Sequence, residues 1–568
     1  MATPLLFVRA LYDFSSSDPT ALIFKRDDLI QVLSQSENGW WEGLHNGMQG
    51  GFPSRFVAVV SDIESYSSPV NSTRSNARCP PYPGRPSHHI SRSSISSTDI
   101  PLPPTIGRQR GDGPSYLDYD YHPSEIVFSF EGCVKGASLN ALIELLTVHD
   151  VHDSNITLTF LLTYRTFTTT REFLELLTKR FMISSPYGLT ADELEVWQEK
   201  KQTPIRLRVF NIMKTWLGHY YRDQEDLECL AQLQDFVRDV MLAHMKFAGN
   251  CLLQMIERKQ KQPKDKPKDL VPNDSIQPPT PMLPKRMKKL EFLEIEPIEL
   301  ARQLTLIDSH LFGQIGSDEW IRRVWQKRSV SVVINFSNQI AFWTVGSILQ
   351  QQEPKVRGNW IKHHIAVADA CWQLNNLNSM AAIVMALNSA PIHRLKKTWE
   401  HVNNKSVQTL EKLTQSVAPS RNFVRYREKL HSVNPPVVPF LAVHLTDLDF
   451  IAGSSPDTLK KTNLINFSKR MKVAEIVRQM TSYQNVTYRL NRVPPIETFI
   501  RDQISSQKNI TDLYEDVPTS VLPSADATDG AANPEHRPNT PEVDENGLII
   551  NHDIEWSAWN ILQSSWKN

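Results

Sequence analysis

The stretch that decides the fold is NPPVVPFLAVHLTDLDFIAGSSPDTLKKTNLINFSKRMKVAEIV, residues 434–477. It opens on a stiff Asn-Pro-Pro, runs apolar to Phe450, breaks at Gly453-Ser454-Ser455-Pro456 and resumes as an amphipathic segment. Proline restricts the backbone and glycine frees it, so the break reads as a turn between two helical arms. The first arm is expected to be largely buried. In the second, Leu464, Phe467, Met471, Ala474 and Val477 recur at steps of three and four and form one apolar stripe. Lys469, Arg470 and Lys472 fall off that stripe and are expected on its solvated side. Such a hairpin is a candidate tool for work on another protein.

Length and charge bound what surrounds it. A chain of 568 residues has room for several domains, and 40% hydrophobic content supports real cores. Lys+Arg is 62 and Asp+Glu is 62, so no basic excess points to nucleic acid as a partner. Cys79, Cys133, Cys229, Cys251 and Cys371 are odd in number, far apart and without a C-x-x-C. Neither a disulfide framework nor a metal site is expected, and a reducing compartment is. The N-terminus lacks the basic-then-apolar pattern of a signal peptide, and no run of about 18 uninterrupted apolar residues is present to span a bilayer. The expectation is a cytoplasmic chain that is open to recruitment to the plasma membrane as a peripheral protein.

Residues 5–60 alternate with a period near two, in short runs around Phe7, Leu29, Trp40, Phe52 and Phe56 separated by turn residues. That pattern predicts a small all-β barrel. Its ALYDF (10–14), WW (40–41) and GGFPSRFV (50–57) resemble a Src-homology-3 domain. The resemblance implies a groove for a polyproline helix lined by Tyr12, Phe14, Trp40, Pro53 and Phe56. The first long loop, SSSDPTALIF (15–24), carries Thr20 and Ala21 where acids are common in that family. Residues 61–125 are Ser- and Pro-rich without hydrophobic periodicity and are expected to be a disordered linker. Two strings of the form P-x-x-P-x-R, PPYPGR (80–85) and PMLPKR (281–286), are candidate ligands of the chain's own barrel.

Residues 126–260 turn helical. Ser138 is a candidate N-cap before Leu139, Leu142, Ile143 and Leu146, and Thr169-x-x-Glu172 has the form of a capping box. VKGASLNALIELLT (134–147) and FLLTYRTFTTTREFLELL (160–177) resemble the N-terminal module of Ras-family exchange factors, which implies a brace for a catalytic domain. Residues 261–289 form a basic, proline-broken connector whose charge suits anionic lipid or solvent.

Residues 290–515 keep helical patterning, with Pro297 suited to a helix first turn. They hold no P-loop, no H-E-x-x-H and no G-x-S-x-G, so neither a metal nor a covalent catalytic set is expected, and no cofactor. Adjacent His363 and His364 point to different sides of a helix and make a poor metal pair. PIELARQLTLID, QLNNLNSMAAIVMALNSAPIHRL, NPPVVPFLAVHLTDL and LINFSKRMKVAEI resemble the catalytic domain of guanine-nucleotide exchange factors of the Son-of-sevenless type, in an order similar to fungal members. The resemblance implies exchange on a Ras-type GTPase by insertion of the hairpin near the nucleotide, without covalent chemistry. It places Ile334, Asn388, Phe423 and Phe440 in a cup for the GTPase, with Ala381 as a shallow wall, and matches Asn335 to a GTPase-binding position that is basic in some relatives. It places Leu445, Thr446, Leu448 and Asp449 on the working face of the hairpin. Where many relatives carry Glu at the hairpin tip, this chain has Ala452-Gly453-Ser454. That departure leaves two alternatives open: a non-exchanging scaffold that recruits through the barrel, and exchange on a Rap- or bud-site-type GTPase. Residues 516–568 are expected to be a disordered tail. The fold class is thus multidomain, a small SH3-like barrel followed by two all-α domains with a protruding helical hairpin.

Overall fold

The computed structural model describes residues 6–10, 13–14, 21–26, 28–35, 40–45, 48–53, 56–60, 114–130, 132–150, 153–261, 277–286, 289–323 and 329–505. Tyr12, the PPYPGR string and the 516–568 tail lie outside them. The chain divides into two units: described residues up to 261 with Pro456–Met471, and described residues 277–455 with 472–505.

The first unit begins with strands β1 (Leu6–Ala10), β2 (Leu29–Gln35), β3 (Trp40–His45), β4 (Met48–Pro53) and β5 (Val57–Val60), paired antiparallel in the order β4-β3-β2-β1-β5. Alternation sets the faces: Val8 and Ala10 are buried while Arg9 between them is exposed. Phe14, Phe24, Ile30, Phe52 and Phe56 fill the interior.

The helical part of this unit has a short hairpin, β6 (Ile126–Phe128) and β7 (Val134–Ala137), and helices α1 (Leu139–Leu146), α2 (Ser154–Thr163), α3 (Thr170–Phe181), α4 (Ala191–Trp197), α5 (Thr203–Thr215), α6 (Asp223–Phe236), α7 (Leu242–His244) and α8 (Lys246–Lys261). The Ser138 hydroxyl caps α1 by accepting from the Ala141 amide at 3.1 Å. Thr169 caps α3 by accepting from the Glu172 amide at 3.2 Å, but the expected reciprocal bond is replaced: Glu172 accepts from the Thr168 hydroxyl. The TYRTF phrase acquires a physical meaning here. The Tyr164 hydroxyl meets Thr170 Oγ1 at 3.0 Å and accepts from Trp216 Nε1 at 3.0 Å, and Arg165 pairs with the fully buried Asp226. Burial pushes the Tyr164 pKa up to about 12.

Two expectations are corrected in this unit. The linker does not extend to residue 125: from residue 114 the chain is ordered, and Asp120 takes ion pairs from Lys201 and Arg180, which anchor it to the helices. Lys469 and Arg470 are not on a solvated face. Both are buried, and both pair with Asp457, at 3.1 and 2.8 Å, which compensates their loss of water.

The second unit holds α9 (Pro297–Gly313), α10 (Ser317–Arg322), α11 (Ser329–Leu349), α12 (Pro354–Gln373), α13 (Leu377–Leu387), α14 (Ala390–His393), α15 (Lys396–Trp399), α16 (Asn404–Ser416), α17 (Val424–Ser432), α18 (Leu441–Ser454), the continuation of α19 (Phe467–Gln484) past residue 471, and α20 (Pro494–Ser505). Pro297 occupies the first turn of α9, where its missing N–H costs nothing. Helix α16 was not anticipated: its turns are mostly polar, and Leu410 and Leu413, with Ser416, bury a narrow stripe. Helix α11 is 21 residues long and apolar enough to cross a membrane, yet Val333, Ile340, Trp343 and Ile348 are buried inside the bundle.

The unit is pinned by a buried polar knot. Asp308 of α9, fully buried, accepts from Ser379 Oγ at 2.7 Å and from Asn378 Nδ2 at 3.1 Å, and Asn378 also donates to Ser337 of α11 at 2.8 Å. Burial pushes the Asp308 pKa up to about 6 despite these donors. Segment 277–286, expected within a free linker, instead docks on α9. The Met282 amide donates to Glu299 Oε2 at 3.0 Å, Arg302 Nη1 donates to the Thr280 carbonyl at 3.3 Å, and Pro284 is buried.

Asn378→Ala is expected to cost about 1–3 kcal/mol at pH 7.5, because a buried carboxylate loses a donor. The cost should shrink at pH 5, below the Asp308 pKa, where the carboxyl is neutral. Urea unfolding at the two pH values measures the difference.

Candidate functional site

The hairpin's first arm is rooted by the strap that precedes it. Val438 sits in backbone register with the start of α13: its amide donates to the Asn375 carbonyl at 3.0 Å and its carbonyl accepts from the Leu377 amide at 2.9 Å. Two residues later the Phe440 amide donates to the Tyr426 hydroxyl at 3.1 Å. That hydroxyl lies 2.9 Å from His444 Nε2. Burial pushes the His444 pKa down to about 3, with the charges of Arg427 and His431 adding to it. The imidazole is therefore neutral, and its Nε2 shares one hydrogen bond with the Tyr426 hydroxyl. The chain amide, phenol, imidazole runs without an orphan at the phenol and fixes α18 against α17.

Around this root the predicted cup partly assembles. The Phe423 and Phe440 rings meet edge to face at 6.4 Å, and Tyr426 meets Phe440 at 6.2 Å. Phe423 ends a left-handed run: Arg421, Asn422 and Phe423 have φ of 50°, 57° and 56°. Each such non-glycine residue costs about 1–2 kcal/mol, so neighbours must hold the run in place. Arg427 does so. Its Nε donates to the Asn422 carbonyl at 2.9 Å, and its Nη2 meets Asp447 of α18 at 2.9 Å. Asn388 ends α13, donates to Thr414 Oγ1 at 2.7 Å, and lines a groove of about 850 Å³ with Leu387, His393, Trp399 and Leu410. Ile334 is half-buried and Asn335 exposed on α11, while Ala381 is fully buried.

The working face of α18 requires correction. Leu445 and Leu448 are 0% and 1% exposed and belong to the core, because a helix that is apolar nearly all round turns its largest aliphatic residues inward. The outer face is Thr446, Asp449, Phe450 and Gly453, spaced as neighbours along one side of a helix. Phe450 is 56% exposed, and sequence reasoning passed over it as the end of an apolar run. Asp449 lies 3.7 Å from Arg323, itself left-handed with φ of 55° at the end of α10. Tyr426 and Arg427 were also missed; an aromatic and a base inside RNFVRYREKL carry no local signal of what they hold.

From the turn between the arms into the start of α19, residues 456–471 fold with the first unit. Ile465 pairs with Ala137 of β7 through mutual backbone bonds of 3.2 and 2.9 Å. Gly136 allows the approach: a Cβ there would lie 2.5 Å from Leu459 Cδ1 and 3.0 Å from the Ile465 carbonyl. Phe467 is buried in that unit's core, and the Arg470 guanidinium stands 5.8 Å over the Phe167 ring.

In the barrel, Phe14, Pro53 and Phe56 are buried, with the Phe14 ring packed on Phe24 and Phe56 at 5.4 and 5.5 Å. The expectation that Phe14 and Phe56 present a groove is thus corrected: both rings chiefly fill the interior. Trp40 is paired with Pro53 through the β3–β4 ladder. Of the two proline strings, 281–286 is the docked segment of the second unit.

Comparison with known proteins gives three family matches: a RasGEF domain over residues 299–471, a RasGEF N-terminal motif over 133–236 and a variant SH3 domain over 7–60. Cell division control protein 25 of Saccharomyces cerevisiae is 34% identical over 452 residues, covering 74% of this chain and 28% of the relative. The protein of the same name in Candida albicans is 35% identical over 441 residues, covering 74% and 32%. Protein son of sevenless of Drosophila melanogaster is 30% identical over 412 residues, covering 67% and 26%. The chain thus spans about a third or less of the length of these relatives.

Tyr426→Phe is expected to cost about 1–3 kcal/mol, because it strands the Phe440 amide and His444 Nε2 in the interior; urea unfolding reads it. His444, His363 (pushed down to about 4) and His364 (lowered strongly) are all neutral in the fold through burial. Their unfolded pKa is near 6.5, so the unfolded state gains protons first, and stability should fall as pH drops from about 6.5 to 4. Asp308, Glu144 and Asp447, whose carboxyls burial pushes up, oppose this below pH 6, but the shifts of the three imidazoles, joined by a lowered His149, are the larger. Urea midpoints at pH 7.5, 6 and 4.5 should decrease in that order.

Proposed function

This chain carries a RasGEF domain, the RasGEF N-terminal motif and a variant SH3 domain, and from that premise we propose that it is a guanine-nucleotide exchange factor for a Ras-type GTPase. The observation that carries the proposal is the outer face of α18, with Thr446, Asp449, Phe450 and Gly453 standing on a root held by the Val438 strap and the Tyr426 hydroxyl.

The task is energetic. A nucleotide held at picomolar affinity is bound by about −16 kcal/mol, so it leaves slowly unaided. A protein that binds the nucleotide-free GTPase better than the loaded one shifts that equilibrium, and only the difference counts. An α18 face fixed in orientation is suited to press into the region the nucleotide vacates. The Phe423–Phe440 wall and the groove beside Asn388 are suited to hold an aromatic side chain of the GTPase. Leu445 and Leu448 support the wedge from behind, as burial requires of them. No step in this account makes or breaks a covalent bond. The barrel serves recruitment through a proline-rich ligand. Its internal candidate is PPYPGR (80–85), since PMLPKR is engaged on α9.

A second reading has one observation in its favour. The tip of α18, Ala452-Gly453-Ser454, has no carboxylate to compete with phosphate. A scaffold that binds a GTPase without exchanging its nucleotide would show such a tip.

Release of fluorescent GDP from purified Ras-type and Rap-type GTPases tests the proposal. The chain should accelerate release from at least one, and Phe450→Ala should lower the rate about tenfold or more with helix content unchanged. Leu448→Ala should instead reduce stability by about 2–5 kcal/mol. No acceleration on any of them, with binding retained, supports the scaffold and contradicts exchange.

A further inference from the structure

Four Ser/Thr-Pro pairs lie among the described residues: Ser185-Pro186, Thr203-Pro204, Thr280-Pro281 and Ser455-Pro456. Thr203 opens helix α5, and Ser455 caps α18. Thr280 alone of the four also has a proline two residues before it, Pro278. It sits in QPPTPMLPKR, a segment without helix or strand. Four prolines in ten residues hold this segment open, and Pro281 disfavours the helical region for Thr280 itself. Gln277, Pro279, Thr280, Met282 and Leu283 are exposed.

What lies beneath Thr280 is cationic and incompletely used. Arg302 of α9 donates through Nη1 to the Thr280 carbonyl at 3.3 Å and to Glu299 Oε2 at 3.0 Å, while its buried Nε–H has no hydrogen-bond partner. Glu299, 1% exposed, also accepts from the Met282 amide at 3.0 Å and from Gln303 at 2.8 Å. The Asn491 side chain donates to the Pro279 carbonyl at 3.3 Å, and its chain neighbour Arg492 adds an exposed second cation. An exposed threonine in an open, proline-flanked backbone thus already bonds a guanidinium through its carbonyl.

We propose that Thr280 is the acceptor of a proline-directed Ser/Thr kinase, and that its phosphate clamps segment 277–286 to α9 by pairing with Arg302. The γ-phosphoryl group of ATP passes to Thr280 Oγ1, the hydroxyl proton leaves to the kinase's base, and ADP departs. A phosphothreonine brings nearly two negative charges and three strong acceptors, and a guanidinium already bonded to the Thr280 carbonyl is a charge-assisted partner for them. The clamp strengthens the docking of PMLPKR on α9 with Pro284 buried, so phosphorylation keeps this P-x-x-P-x-R string from any SH3-type groove, the chain's own included. This inference does not depend on exchange activity.

The full chain, incubated with a purified proline-directed kinase and ATP, should carry phosphate on Thr280 by mass spectrometry, and Thr280→Val should remove that site's label. Thr540, in a second P-x-T-P outside the described residues, reports that the kinase is active on this protein. Amide exchange of the peptide covering 277–286 should slow about tenfold or more on phosphorylation. Arg302→Gln should still accept phosphate but lose that slowing. No phosphate on Thr280 while Thr540 is labelled, unchanged or faster exchange in the phosphorylated chain, or slowing that persists in Arg302→Gln would each overturn the proposal.

Discussion

The placement of α18 depends on one buried hydroxyl. Tyr426 accepts from the Phe440 amide and hydrogen-bonds His444, so a single phenol holds the residue before the helix and a residue one turn into it. Take it away and the helix keeps its own backbone bonds but loses its fixed start. The strap at Val438 adds two backbone bonds to the beginning of α13, and the Asp308 knot ties α13 to α9. Each layer fixes the one outside it. The proposed role of the outer face, to press on a partner's nucleotide site at a defined angle, requires such a sequence of supports.

The other end of the hairpin is held by different means. The connection between its arms is a β-bridge and a buried phenylalanine in the first unit, with glycine at position 136, where a Cβ would crowd Leu459 and the Ile465 carbonyl. Lys469 and Arg470 are buried there against Asp457, whose carboxyl they hold below the usual range against the upward push of burial. The RasGEF N-terminal motif therefore packs with residues 456–471, the connection between the arms and the first residues of α19.

Much of this was legible in the sequence, and the parts that were not have physical reasons. Strand alternation gave the barrel, Ser138 and Pro297 marked helix starts, and the Gly453–Pro456 break separated the arms. The inward face of α18 was misread because a helix with Leu, Val, Phe and Ile all round has no periodic signal; only packing decides between Leu448 and Phe450. Burial of Lys469 and Arg470 was hidden because their partner, Asp457, lies 12 and 13 residues away across a turn that composition does not describe. The Tyr426–His444 bond, 18 residues apart, and the left-handed run at 421–423 are tertiary facts with no local pattern. Phe14 and Phe56 were assigned by resemblance to a groove, and barrel closure turned them inward.

The central claim is a preference: the chain should bind a GTPase emptied of nucleotide more tightly than the same GTPase loaded with GDP. Affinities of the full chain for the two forms of one Ras-type GTPase, measured by calorimetry in the same buffer, test it most directly. A preference of about 100-fold or more for the empty form, about 2.7 kcal/mol, is the predicted result. Equal affinities for the two forms would contradict the account, because a protein that does not discriminate between them shifts no equilibrium however tightly it binds.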